Sequence, residues 1–173
     1  TTVVVQASSS PTSTKEDSSA SASPLSATAE WKKIKQDSLS ISLEYPADWY
    51  VNASDSAKLV VSSFETSVLE KDKQQSMQMT ITRTKKASSS SKLESFLEVR
   101  LADLKKEFTT VSIPTETKRS VDDYDGVERT YSLGSDTPVV VREIAFGTRS
   151  YFYTIVLSSS DSTLGPVVDE ILK

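Results

Sequence analysis

The densest group of chemistry-bearing residues in this 173-residue chain is Asp122-Asp-Tyr-Asp-Gly126, which invites comparison with a calcium loop. An EF-hand loop places acids at positions 1, 3 and 5, glycine at 6 for the sharp turn and a bidentate glutamate at 12. Set on Gly126, those places hold Val121, Asp123, Asp125 and, at the end, Ser132, so both end ligands fail and the segment reads as a solvated turn. A second candidate is Ser89-Ser-Ser-Lys92, the S-x-x-K spacing of a serine nucleophile with a lysine base. No S-D-N or K-T-G partner follows it, and the serines read as loop and helix cap. The chain has no histidine and no cysteine, which removes the usual general base near neutral pH, the thiol nucleophile and the usual zinc and copper ligands. No catalytic residue, metal site or cofactor is expected. No Walker loop or G-x-G-x-x-G run is present to cradle a nucleotide phosphate.

Aromatic residues offer another kind of chemistry. Tyr45, Trp49 and Tyr50 cluster beside Pro46 and are the candidate binding residues, because aromatic anchors carry much of the energy of protein interfaces. The competing reading is a core plug at a strand end. Trp31 carries the same pair of readings, contact residue or lid over a sheet. The basic pairs Lys85-Lys86 and Lys105-Lys106 read as solvated surface, and Asn52-Ala-Ser54 is a formal glycosylation sequon.

These residues need a scaffold, and composition limits it. Thirty-six percent hydrophobic content over this length supports one core. Twenty basic against 24 acidic residues leave a net charge of −4, with no footprint for phosphate contacts, so nucleic acid is not an expected partner. No apolar run reaches the ~20 residues of a membrane-spanning helix, so membrane contact is expected only through an anchor upstream of Thr1. Residues 1–29 contain 14 Ser or Thr with no apolar periodicity, and are expected to be a disordered tether ahead of a domain at 30–173.

Within that domain Leu39, Ile41, Leu43 and Tyr45 alternate with polar residues, predicting a half-buried strand that stops at Pro46. Further strands are predicted at 57–64, 76–85, 117–121, 127–133, 139–146 and 150–158, with Asp125-Gly126 as a turn and a polar connection over 65–75. The last strand carries apolar residues on both faces and is expected at the centre of the sheet. Leu93, Phe96, Leu97, Leu101, Leu104 and Phe108 recur at helical spacing, predicting a helix over about 92–108, with Ser91 and Glu94 as a capping box. A terminal helix is predicted from Leu164, Val167, Val168, Ile171 and Leu172.

The segment Leu39-Ser-Ile-Ser-Leu-Glu-Tyr-Pro-Ala-Asp-Trp-Tyr-Val51, the mid-chain helix and the Gly126-Val-Glu-Arg strand start resemble PsbP-like and Mog-type domains. The resemblance implies an α+β fold, an α/β/α sandwich around a twisted antiparallel sheet, over about residues 31–173. Relatives with that fold include a photosystem subunit of the thylakoid lumen, a Ran-binding nuclear protein and bacterial lipoproteins of unknown role. The bacterial envelope variety fits the Ser-rich segment best, although no lipidated cysteine is present. The function expected is a non-enzymatic, envelope-tethered module that binds protein or stabilises an assembly. Two readings compete with it: a hydrolase using Ser and Lys or a carboxylate pair, and a cytosolic or nuclear adaptor.

Overall fold

A computed structural model describes residues 30–63, 77–108, 110–112, 114–134 and 139–159. Among them the chain runs through β1 (Trp31–Gln36), β2 (Ile41–Pro46), β3 (Tyr50–Asp55), β4 (Lys58–Ser62), β5 (Met77–Lys85), α1 (Leu93–Glu107), β6 (Thr115–Val121), β7 (Tyr124–Leu133), β8 (Val139–Gly147) and β9 (Tyr151–Ser159). Strands β3 to β9 form one antiparallel sheet in the order β3-β4-β5-β9-β8-β7-β6, and β1 and β2 form a separate hairpin. The doubly apolar β9 lies at the centre of the sheet, flanked by β5 and β8.

Period-two patterning divides the sheet into two covered faces. Leu59, Val61, Met77, Met79, Ile81 and Leu157 are buried with Leu39 and Trp49, and Ile34, Ile41, Leu43 and Tyr45 of the hairpin pack against them. The hairpin is fastened at its tip. Leu39 lies in the turn rather than in the predicted strand, is fully buried, and its carbonyl accepts a hydrogen bond from the Tyr153 hydroxyl at 2.9 Å. Ser40, next to it, takes a left-handed φ of 57° to close the turn. On the other face α1 presents Phe96 to the ring of Phe152, stacked at 4.6 Å, and buries Leu97.

This arrangement corrects the expected α/β/α sandwich. The described chain is mostly β: one helix covers one face and a two-stranded hairpin covers the other. Strands β1 and β3 escaped the sequence reading because β1, Trp-Lys-Lys-Ile-Lys-Gln, sends few apolar side chains inward and β3 is a polar edge. The predicted terminal helix, the 65–75 connection and the tether lie outside the described residues.

Two local expectations also change. The helix N-cap is Lys92, in an extended conformation with no side-chain cap. The Ser91 hydroxyl instead accepts the Ser88 N–H at 3.1 Å, which draws it back into the serine loop. The turn before β7 is Asp122-Asp123, with Asp122 at φ 48°, and Asp125-Gly126 lies inside the strand. Gly126 is needed there for close approach, since a Cβ would sit 2.6 Å from the Ala145 carbonyl oxygen.

Candidate functional site

Between the hairpin and the sheet runs a groove of about 950 Å³. Consecutive residues Ser40 to Glu44 line one wall, so β2 lies edge-on to it, and Arg119 to Asp122 at the end of β6 form the opposite wall. The floor is the sheet face under Ile81, Ile144, Phe146, Tyr153 and Ile155. Cross-strand register places these on one side, pairing Ile81 with Ile155, Ile144 with Ile155 and Phe146 with Tyr153. Within the hairpin β2 pairs with β1.

Aromatic rings give the groove its character. Tyr124 stacks on Phe146 at 5.9 Å and Phe146 on Tyr153 at 5.2 Å, a ladder from an exposed ring to a buried one. Gly126 faces Phe146 across β7 and β8, so the ladder crosses a position with no side chain. Trp31, 37% exposed, and Tyr124, 42% exposed, both line the groove and leave apolar surface open to a partner. Fixed charges stand beside them. Glu128 accepts from Arg119 Nη1 at 3.3 Å and from Arg142 Nε at 2.8 Å, which holds the Arg119 guanidinium against the wall. Lys33 and Glu44 pair loosely at 3.9 Å on the hairpin.

The opposite face carries a second buried ionic cluster. Glu143 accepts from Arg100 Nε of α1 at 2.6 Å and from the Tyr131 hydroxyl at 3.4 Å. Arg129 pairs with Glu116 at 2.5 Å and donates to the Leu97 carbonyl at 3.1 Å, tying the helix to the sheet. Burial, then the charge of Glu143, pushes the Tyr131 hydroxyl well above the ordinary tyrosine range. Glu128 and Glu143 are both buried acids, but adjacent-strand register sets them on opposite faces, Glu128 beside Ile144 and Glu143 beside Arg129. They do not form a carboxylate pair across one bond of the kind glycosidases use.

The sequence-level candidates fall elsewhere. Trp49 is buried in the core, Tyr45 is half-buried against it, and Tyr50 on β3 is 49% exposed. None of the three lines the groove. Among the described residues no group of three or more acids is placed to hold a metal ion, and no helix is long and apolar enough to cross a membrane. Phe146 and Tyr153 were missed because each reads in sequence as an ordinary strand aromatic, and Tyr124 because it falls in the acidic segment read as a solvated turn, whereas it begins β7. The one signal that could have found them is Gly126 inside a strand, which marks close packing of neighbours.

No family model and no curated protein matches this chain. Solved structures do. The solution structure of the cyanobacterial PsbP protein CyanoP from Synechocystis sp. PCC 6803 superposes with a TM-score of 0.57 at 14% identity, over 83% of this chain and 89% of that one. The chain has a PsbP-like fold. A Pseudomonas aeruginosa protein of unknown function, PA94, matches with a TM-score of 0.51 at 11% identity, over 82% of this chain and 92% of that one. At such identities the likeness speaks for the fold alone.

Proposed function

We propose that this chain is a non-enzymatic binding module that works outside the cytoplasm, carried on the Ser/Thr-rich segment 1–29 and holding a partner protein in the groove between hairpin and sheet. The observation that carries this reading is the groove itself, with its edge-on strand, apolar floor and two open aromatic rings. An extended peptide fits such a surface because a strand edge offers main-chain hydrogen bonds while a floor of spaced apolar residues takes alternate side chains. Trp31 and Tyr124 are the residues placed to act as anchors, and Arg119, held by Glu128, supplies a fixed donor at the wall.

Site-specific photo-crosslinking in the source cells tests the reading. A photoreactive residue at Tyr124 should join the chain to one discrete protein, and the same residue at Val99, 61% exposed on the outer side of α1, should not. With that partner in hand, Trp31→Ala and Tyr124→Ala should each weaken binding by roughly tenfold or more, the mark of a hot spot. Equal labelling from both positions, or full affinity in both alanine variants, would remove the groove from the function.

A further inference from the structure

One end of the sheet concentrates positive charge in a chain whose net charge is −4. Lys85 faces Tyr151 across β5 and β9, and the Lys86 N–H donates to the Ser150 carbonyl at 2.9 Å, beside Arg149. The Arg83 N–H donates to the Ala57 carbonyl at 3.1 Å, beside Lys58. Lys92 begins α1 one turn before Phe96, which stacks on Phe152. Lys58 opens β4, Arg83 and Lys85 close β5, Lys86 and Arg149 follow in the adjoining turns and Lys92 precedes α1, so six cations gather at this end of the sheet, Lys58 on the helix face and Arg83 and Lys85 on the hairpin face. The acids closest in sequence to these positions are Asp55, whose side chain accepts the Ala57 N–H at 2.8 Å, and Glu94 in the first turn of α1.

The cations are organised but not neutralised. The Arg83 guanidinium lies 4.4 Å over the Tyr151 ring and Lys86 Nζ 4.5 Å over Phe152, while Lys58, Lys85, Lys92 and Arg149 are exposed. Among the described residues none of the six forms an ion pair with a carboxylate, whereas Lys33, Lys35, Arg100, Lys106, Arg119, Arg129 and Arg142 all do. The acidic Asp122-Asp123 turn lies at the same end of the sheet but on the β6–β7 side. Three strand spacings of ~4.8 Å separate β5 from β7, roughly 14 Å, which exceeds the ~8 Å screening length at physiological salt, while Arg149, in the turn between β8 and β9, lies nearer the acidic turn. The cations of β4, β5 and the helix start thus present their own field.

The side chains project from separate strand ends and turns, and none lines the groove, so a small anion would meet only one or two of them. A planar array of anionic headgroups meets them together, and basic surface clusters are attracted to such a layer. Large exposed apolar side chains among the described residues are Trp31, Tyr50, Val99 and Tyr124, none of them on this flank, so contact is electrostatic without insertion. We propose that this flank, Lys58, Arg83, Lys85, Lys86, Lys92 and Arg149, docks the domain on an anionic lipid surface, with the Asp122-Asp123 turn tilted away from it.

Sedimentation of the full chain with vesicles tests this independently of any partner in the groove. The chain should associate with vesicles of phosphatidylglycerol and phosphatidylcholine in equal parts and not with phosphatidylcholine alone. Raising salt from about 0.1 M to about 1 M, which shortens the screening length from about 10 Å to about 3 Å, should release it. Lys85→Gln should weaken association about fivefold, and Lys58→Gln, Lys85→Gln and Arg149→Gln together on the order of a hundredfold, since each lysine or arginine near an anionic leaflet contributes a factor of that size. Asp122→Asn with Asp123→Asn should strengthen it. Replacing Lys32, Lys33 and Lys35 of the hairpin by Gln removes the same charge elsewhere and should leave association unchanged. The proposal fails if the chain ignores the anionic vesicles at low salt or if the hairpin variant loses as much as the flank variant. It also fails if short duplex DNA at equal phosphate concentration displaces the chain from the vesicles, which would make the flank a general polyanion site.

Discussion

The residues that matter most here are those whose environment the fold makes exacting. Gly126 leaves room for β7 to close on β8 while Phe146 and Tyr124 stack alongside. Gly126→Ala forces a Cβ against the Ala145 carbonyl, an overpacking that should cost about 1–3 kcal/mol and lower the melting temperature. Tyr131 is the titrating counterpart of that precision. Its hydroxyl is raised in the folded state by burial and then by Glu143, so the unfolded chain releases the proton first. The stabilisation is complete below the unfolded value of about 10 and is lost as pH rises above it toward the folded value. Urea denaturation across alkaline pH should show the native chain losing stability above about pH 10 more steeply than Tyr131→Phe.

At the scale of elements, the hairpin and the helix hold to the sheet by different means. The β1–β2 hairpin depends on Leu39, which is buried in the turn and braced by the Tyr153 hydroxyl. Leu39→Ala should destabilise by about 2–5 kcal/mol and free the hairpin, seen as faster hydrogen exchange in β2 than in β5. The helix is held by Phe96, Leu97 and the pairing of Arg100 with Glu143, yet it starts on an uncapped lysine. Lys92→Asp would supply an acceptor for the free N–H groups of the first turn and should add about 1 kcal/mol to stability. The same change removes a cation from the basic flank, so a variant that melts higher yet binds anionic vesicles more weakly is the expected result. Such a trade of function for stability is common where a locally unfavourable residue serves a surface.

For the whole molecule, the two covers leave the sheet with unequal faces. The helix face is tied by Glu143, Arg100, Arg129 and Glu116, while the hairpin face keeps an open groove beside Glu128 and its two arginines. Function is proposed on the open face and on the basic end, and the helix face serves chiefly to hold the sheet together. Among the described residues no group of three or more acids is placed to hold a metal ion, so the melting temperature is expected to be equal in chelator and in millimolar calcium. A tight site would raise stability by ~2.7 kcal/mol at a hundred times its dissociation constant, and calorimetry would register it.

Much of this was readable in the linear order of residues, because local periodicity is a local property. The six-residue apolar stripe from Leu93 to Phe108 predicted a helix over about 92–108 and the structure places it at Leu93–Glu107; the alternation of Met77, Met79 and Ile81 placed β5, and two-sided apolarity put β9 in the middle. The missing histidine and cysteine limited the available chemistry in the same way. The cover on the second face could not be read: alternation marked Leu39, Ile41, Leu43 and Tyr45 as an apolar row, but not that their hairpin lies over the sheet with the Leu39 side chain in the core and its carbonyl on the Tyr153 hydroxyl, far along the chain. The groove, the ladder of Tyr124, Phe146 and Tyr153, and the flank joining Lys58, Arg83 and Arg149 were likewise decided by strand pairing across long separations. Each residue in them looks unremarkable beside its sequence neighbours, and it takes the register of β4, β5, β9, β8 and β7 to bring them to one groove or one end of the sheet.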